Sequence, residues 1–173
     1  MNRFNTESIE KFRQCLSKSR GSIVLIPHIN ADGDATGSVF GLWKVLKNKG
    51  LEVKVISPNS YASYYNWMCG HSESIIFTWK KEAAIKILND ASTLICMDFN
   101  QPSRAGELEK LIENFKGTKV MIDHHPNPSG CADIVISDTR RSSTAELVFA
   151  LLCEVGWQSY IDKEAAASLY AGI

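Results

Sequence analysis

Three short stretches of the chain concentrate the side chains that could do chemistry. They are the segment HINADGDATGS, the residue after TLICM and the residues after TKVMI, which together supply His28, Asp32, Asp34, Asp98, Asp123, His124 and His125. Closed structural zinc sites favour Cys and His, whereas a set that mixes carboxylates with imidazoles suits Mn²⁺ or Mg²⁺ and leaves positions open for water. The residue types therefore predict a divalent-metal site, with Mn²⁺ as the first choice.

The number and order of these ligands favour two ions rather than one. Two ions about 3.5 to 4 Å apart act as a clamp on one phosphate, and Asp98, which stands alone after its strand, is placed to bridge them. We expect His28 and Asp32 to hold one ion with Asp98, and Asp34 and one adjacent histidine to hold the second. Neighbouring residues on an extended chain point in opposite directions. One histidine of the pair is then a metal ligand and the other a substrate contact.

Each stretch also has an ordinary structural interpretation. Asp32 and Asp34 could form an Asx-type turn and a helix cap, Asp98 could be a turn residue, and the two histidines could be packed or solvated. All three stretches directly follow predicted strands, and this joint placement favours a metal site over the separate structural interpretations. A calcium loop starting at Asn30 is excluded, because its sixth residue is not glycine and its twelfth is not glutamate.

Short apolar, β-branched runs alternate with amphipathic segments along the chain. The expected helices run from Asn5 or Thr6 to about Ser19, from Asp34 to Lys49, from Lys80 to Asp90 and from Ser103 to Phe115, with two more starting at Ser143, in a capping box with Glu146, and at Asp162. The alternation predicts an α/β fold with a doubly wound, mostly parallel five-stranded sheet and helices on both faces. Ligands of such sheets bind beyond the carboxyl ends of the strands, where the three stretches lie.

Composition narrows the class of protein. The chain has 173 residues, 45% of them hydrophobic, and nineteen basic residues balance nineteen acidic ones. The chain therefore has no net positive charge that would attract it to nucleic acid or to an anionic membrane. The five cysteines form no C-x-x-C pair, and the N-terminal residues have no signal-peptide pattern. A cytoplasmic protein with reduced thiols and no membrane partner is expected.

The motifs resemble those of the DHH phosphoesterases, a family named for the Asp-His-His seen at 123–125. HINADGDATGS is similar to the first motif of the family, CMDFNQPSRAG to the second and DHHP to the third. The resemblance implies that His28, Asp32, Asp34, Asp98 and His124 are Mn²⁺ ligands, with Asp98 bridging two ions. It implies that His125 faces the phosphate and that Asp123 orients the histidines.

The resemblance covers residues 1–173 as a DHH catalytic domain and also implies missing parts. A further metal-binding aspartate is expected after a helix that ends in A-G-I, where this sequence ends at Ile173. The smaller C-terminal substrate-binding domain of the family is likewise expected to be absent from these residues. We therefore expect a catalytic domain truncated at its C-terminal end, with little or no activity as a fragment.

The implied activity is hydrolysis of a phosphoester by metal-activated water, with Arg104 as a candidate phosphate clamp. Gly33 between the two aspartates is similar to the branch that acts on short RNA, 3'-phosphoadenosine 5'-phosphate and linear or cyclic dinucleotides. The alternatives are an inorganic pyrophosphatase or exopolyphosphatase and, in another class, a non-catalytic nucleotide-binding regulatory module. A homodimer is compatible with each. An aromatic cluster, Tyr61, Tyr64, Tyr65 and Trp67, is expected to be core rather than a base-stacking platform.

Overall fold

Six strands form a single sheet in the computed structural model, which describes residues 4–17 and 21–173. In chain order the strands are β1 (Ser22–Pro27), β2 (Val53–Ser57), β3 (Ile75–Ile76), β4 (Ala91–Met97), β5 (Thr118–Asp123) and β6 (Ile134–Ser137). Their order across the sheet is β3-β2-β1-β4-β5-β6, and every neighbouring pair is parallel. The carboxyl ends of all six strands therefore lie along one edge.

The predicted count of five strands is wrong by one. The shortest strand, β3, has two residues and pairs with the end of β2 through Ile56 opposite Ile75 and Ser57 opposite Ile76. A two-residue strand is too short to show a periodicity in the sequence. The predicted parallel, doubly wound α/β architecture is confirmed.

In the described part of the chain, six α-helices cover the two faces of the sheet. They are α1 (Thr6–Ser17), α2 (Gly33–Asn48), α3 (Lys81–Asp90), α4 (Glu109–Glu113), α5 (Thr144–Glu154) and α6 (Lys163–Gly172). Alternate residues of β1 show the division: Ile23 and Leu25 pack in a core with α1, α2, α5 and α6, while Val24 and Ile26 pack in a second core with α3 and α4. Burial of both faces explains why the strands are apolar throughout rather than alternating.

One predicted helix differs from the structure. The segment expected to be helical from Ser103 to Phe115 is a 3₁₀ segment, Pro102–Leu108, followed by the short α4. Gly106 breaks the helical path with φ 58° and ψ −128°, a conformation that glycine adopts without steric cost. The first helix is present, but its predicted end at Ser19 lies outside the described residues.

Helices α2 and α6 pack very closely. A Cβ on Gly37 would lie 2.5 Å from the Ser168 carbonyl oxygen and 2.8 Å from the Gly172 nitrogen. A Cβ on Gly172 would in turn lie 3.2 Å from the Gly33 oxygen. Only residues without a side chain permit this approach. It brings the end of α6 against the first residues of α2.

Two further features agree with the composition. All five cysteines are free thiols. Within the described ranges, none of the helices combines the length and the apolarity that crossing a bilayer requires.

Candidate metal centre

The first half of the centre is built at the end of β1. His28 is the next residue and is buried, with 6% of its surface exposed. Its Nδ1 lies 2.8 Å from the Ile29 carbonyl oxygen, which can only accept, so Nδ1 carries the proton. The lone pair of Nε2 then faces two carboxylates, 3.6 Å from Asp98 Oδ2 and 3.8 Å from Asp32 Oδ1.

Asp32 serves two purposes at the start of α2. Its Oδ1 accepts a hydrogen bond of 3.1 Å from the Ala35 N–H, so it is the N-cap residue of the helix. Its side chain nevertheless stays 67% exposed and borders the His28 ring. The turn interpretation and the site interpretation of this stretch are thus compatible.

Asp98 lies at the centre of the cluster. It directly follows β4, is 2% exposed, and has a φ of +63°, a left-handed conformation that is unusual outside glycine, asparagine and aspartate. Its N–H donates to the Ile122 carbonyl oxygen across to β5 at 3.0 Å. The strand end thus turns sharply, and the buried carboxylate is held between the ends of β1 and β5.

The second half of the centre joins Asp34 and His124. His124 Nδ1 lies 3.2 Å from the Arg141 carbonyl oxygen, which again leaves the lone pair on Nε2. That Nε2 lies 3.5 Å from Asp34 Oδ2 and 3.8 Å from Asp98 Oδ1. Both histidines therefore use one nitrogen to fix the ring on a backbone carbonyl and direct the other at carboxylates, an arrangement common to metal-binding histidines.

The start of α5 supports both carboxylates of this half, and the sequence reasoning missed it. The N–H groups of Thr144 and Ala145 each donate to one oxygen of Asp34 at 2.7 Å, and the Thr144 hydroxyl donates to Asp98 Oδ1 at 2.7 Å. Ser143 caps the helix by accepting from the Glu146 N–H at 3.0 Å, as predicted. The Glu146 carboxylate reaches the Ser142 N–H instead of completing the predicted capping box at Ser143. The signal that could have revealed Thr144 was its place one residue after a predicted cap, where free N–H groups attract anions.

His125 has different surroundings from His124. Its Nδ1 lies 2.7 Å from Asp123 Oδ1, and its N–H donates to the other Asp123 oxygen at 3.1 Å. Asp123 is fully buried, whereas the His125 side chain is 43% exposed. The expectation that the two histidines point in opposite directions is wrong, because β5 ends at Asp123 and the two rings lie edge to face with centroids 4.6 Å apart.

Two clusters of ligand atoms share Asp98. One comprises His28, Asp32 and Asp98, the other Asp98, His124 and His125, and the atoms of each lie within 4.8 Å of one another. In the second cluster the His125 atom near Asp98 is Nδ1, at 3.9 Å, which Asp123 already engages. Asp34, whose Oδ2 lies 3.5 Å from His124 Nε2, stays the predicted third ligand of this half. A metal ion or a proton between the imidazole lone pairs and the carboxylates, which face one another at 3.5 to 3.8 Å, would relieve their repulsion, and metal–ligand bonds of about 2.1 Å are compatible with such separations. The residues present fit two divalent cations.

The electrostatics of the cluster also favour added positive charge. Burial and the negative charge of Asp98 raise the pKa of Asp34 to about 6, although the two N–H groups of α5 and His124 oppose that rise. Burial lowers the pKa of His28, but the neighbouring Asp98 carboxylate and the contact with the Ile29 carbonyl outweigh burial, so that the pKa is raised overall.

Arg104 lies on the rim of the centre. Its carbonyl oxygen accepts from the Ile29 N–H at 2.8 Å, which places its backbone beside His28. Its side chain is exposed, and its guanidinium makes no hydrogen bond or ion pair with any residue in the described part of the chain. The predicted role as a phosphate clamp stays a prediction.

Comparisons with known proteins identify relatives of this chain. Residues 22–173 match the family model described as DHH family, N-terminal domain. The bifunctional oligoribonuclease and PAP phosphatase NrnA of Bacillus subtilis is 28% identical over 155 residues, which cover 88% of this chain and 45% of that protein. The protein of the same name from Thermus thermophilus is 26% identical over 153 residues, 87% of this chain and 42% of its own length.

A solved structure shows the same fold at high similarity. An exopolyphosphatase-related protein from Bacteroides fragilis superposes with a TM-score of 0.94 and 33% identity, over 99% of this chain and 50% of that one. The chain thus spans about half the length of these relatives. Since the family model covers the whole sheet and every residue of the centre, the chain belongs to the DHH family.

Proposed function

We propose that this chain is the catalytic part of a Mn²⁺-dependent phosphohydrolase that cleaves phosphoester bonds in short oligonucleotides or small nucleotides. The observation that carries the proposal is the position of Asp98, a buried carboxylate shared by two clusters of ligand atoms. Catalytic sites of this chemistry use a pair of metal ions to clamp one phosphate. The free cysteines fit a reducing compartment such as the cytoplasm.

Asp98 would bind both cations, and each cation would have two further ligands of its own. His28, Asp32 and Asp98 would hold one, and Asp34, Asp98 and His124 the other. When bound, the two cations supply hydroxide from water near neutral pH and neutralise the charge on phosphate oxygens. The mixed oxygen and nitrogen ligands, without a thiolate, favour Mn²⁺ over zinc and leave room for Mg²⁺.

His125 would act on the substrate rather than on the metal. The carboxylate of Asp123 accepts from Nδ1, which fixes the orientation of the ring. In the protonated form of the ring, Nε2 would donate a hydrogen bond to a phosphate oxygen as negative charge develops there. Arg104, exposed on the same rim, would hold a second phosphate oxygen through its guanidinium.

The substrate class rests on the relatives and on charge. Two of them are named as oligoribonucleases and PAP phosphatases, and the net charge of zero disfavours a long track of phosphate contacts. We infer a substrate with few phosphates, either a nucleotide or an oligonucleotide of a few residues.

The arrangement around α6 bears on the expected further ligand. The last residues of α6 contact the start of α2, where Gly172 approaches the Asp34 Cα. A residue that follows α6 would therefore enter the centre on the Asp34 side. We propose that an aspartate there completes the coordination shell of the second cation and that a C-terminal domain, in the part of the longer relatives that this chain does not cover, contributes to substrate binding.

A substrate panel tests the proposed function. Protein carrying this chain and any natural continuation is assayed with Mn²⁺ on a 5'-phosphorylated diadenosine dinucleotide, 3'-phosphoadenosine 5'-phosphate, pyrophosphate and polyphosphate. Hydrolysis of the first two at higher kcat/KM than the last two is the expected result. Hydrolysis of pyrophosphate or polyphosphate alone would contradict it, and activity on none would favour a regulatory module.

A further inference from the structure

Two tyrosines form a small aromatic surface between β2 and β3, which we call the aromatic shelf. It consists of Tyr64 and Tyr65, adjacent residues in the 3₁₀ turn Ser63–Tyr65. Their rings meet edge to face with centroids 4.4 Å apart. Tyr64 is 69% exposed, whereas Tyr65 is partly buried and packs against the larger core.

The shelf borders the metal centre. A Cβ built on Gly33, the residue between Asp32 and Asp34, would lie 3.4 Å from the Tyr65 hydroxyl oxygen. This contact places the inner ring of the shelf beside the residues that would hold the first cation.

Contacts on both sides hold the shelf in position. Before it, Asn59 and Asn30 exchange two hydrogen bonds of 2.8 Å, which tie this loop to the loop that follows His28. Tyr61 packs on Phe40 with ring centroids 5.3 Å apart. After it, Met68 is buried and donates its N–H to the Tyr65 carbonyl oxygen at 3.0 Å. A ligand would meet a preorganised surface, so little ordering entropy is lost on binding.

The aromatic residues of this loop divide into two groups. Tyr61 is 9% exposed and belongs to the core, as the sequence predicts, but Tyr64 and Trp67 are 69% and 59% exposed. An exposed aromatic ring presents a flat apolar face to solvent, and nucleobases stack on such faces with little regard to their identity. The exposed ring of Tyr64 thus lies directly against Tyr65, the ring that borders the centre.

We propose that the aromatic shelf is a nucleobase subsite, on which a base of the substrate stacks through the exposed face of Tyr64 while its phosphate lies at the metal centre. This assignment rests on the proposed function. It makes the shelf the feature that separates a nucleotide substrate from pyrophosphate or polyphosphate, neither of which has a base.

The test compares two ligands that differ only in the base. One is a non-hydrolysable, methylenephosphonate-linked diadenosine dinucleotide, and the other is the same molecule without its bases. Titration of wild-type protein should give tighter binding of the base-bearing ligand. Tyr64→Ala should weaken binding of that ligand about tenfold, within a range of about 5- to 100-fold. The affinity for the abasic ligand should not change.

Two variants serve as controls. Tyr64→Phe keeps the ring and should retain wild-type binding of both ligands, and Phe149→Ala removes an exposed ring on α5 and should affect neither. Equal binding of both ligands by wild type, or an equal change for both in Tyr64→Ala, would contradict the assignment of the aromatic shelf as a nucleobase subsite. The titration measures binding and not cleavage, so the two proposals can fail separately. If the protein does not hydrolyse nucleotides but binds the base-bearing ligand more tightly, only the proposed function is contradicted.

Discussion

Thr144 donates hydrogen bonds to two carboxylates of the proposed centre, Asp34 and Asp98. Its N–H donates to Asp34 and its hydroxyl to Asp98, both at 2.7 Å, and its side chain is fully buried. Groups that orient a metal ligand change metal affinity about 10- to 100-fold when removed. Thr144 is therefore a positioning residue of the centre.

Replacing Thr144 with valine tests this role at nearly constant volume. Thr144→Val leaves the buried Asp98 Oδ1 without its donor, so Mn²⁺ affinity should fall by about 10- to 100-fold, as measured by calorimetric titration. Thr144→Ser retains the hydroxyl and should stay closer to wild type. Unchanged affinity in the valine variant would show that the hydroxyl does not orient Asp98.

His125 gives a second prediction at the residue scale. Because its Nδ1 is engaged by Asp123, His125→Ala should lower kcat by about 100-fold or more while Mn²⁺ affinity stays within about threefold of wild type. Steady-state kinetics and metal titration of the same preparation separate the two effects. A large loss of metal affinity would instead make His125 a ligand.

The residue types of the centre could be predicted from the sequence, but the roles of some could not. His28, Asp32, Asp34, Asp98 and His124 meet at one edge because parallel strands end there. Thr144 follows no strand, and its contribution depends on how α5 docks against Asp34. The direction of the His125 ring depends on its hydrogen bonds with Asp123, which periodicity does not reveal.

At the scale of elements, the contact between α2 and α6 sets the position of Asp34. The Cβ of an alanine at position 37 would meet the backbone of α6 at 2.5 Å, whereas one at Gly41 would meet the Leu169 side chain at 2.5 Å. Backbone can move only if the whole helix shifts, while a leucine side chain can change its conformation. The two glycines therefore form a matched pair.

Gly37→Ala should destabilise the protein although alanine is the better helix former by about 1 kcal/mol. Overpacking against the α6 backbone should lower the free energy of unfolding by about 1 to 3 kcal/mol, as measured by urea denaturation. Gly41→Ala should cost less. Equal or greater stability of Gly37→Ala would mean that α6 does not pack as closely as described.

Elements with strong periodicity were predicted well, and those defined by a single backbone conformation were not. The long helix α2 lies within one residue of its predicted bounds. The segment around Gly106 was predicted as helix because its apolar spacing is helical, but its φ of +58° depends on a close approach to Ile29, 3.0 Å from the position of a Cβ. Such tertiary contacts are not visible in a sequence window.

At the scale of the whole molecule, one edge of the sheet gathers every proposed functional residue. His28 follows β1, Asp98 follows β4 and His124 follows β5, three neighbouring strands in the sheet. The crossover at which β2 and β4 flank β1 is the switch point where α/β sheets bind ligands. Topology therefore explains why residues seventy to a hundred positions apart could form one centre.

The most direct test of the account is a Mn²⁺ titration of wild type and Asp98→Asn by calorimetry. Asparagine has a similar shape and tolerates the positive φ, so this variant removes the shared negative charge with little change to the fold. Asp90→Asn, at an exposed carboxylate at the other end of β4, is the matched control. We predict two Mn²⁺ ions per wild-type chain, weakened binding at both sites in Asp98→Asn, and no change in the control; a single ion in wild type, or unaltered uptake by Asp98→Asn, would contradict a centre bridged by Asp98.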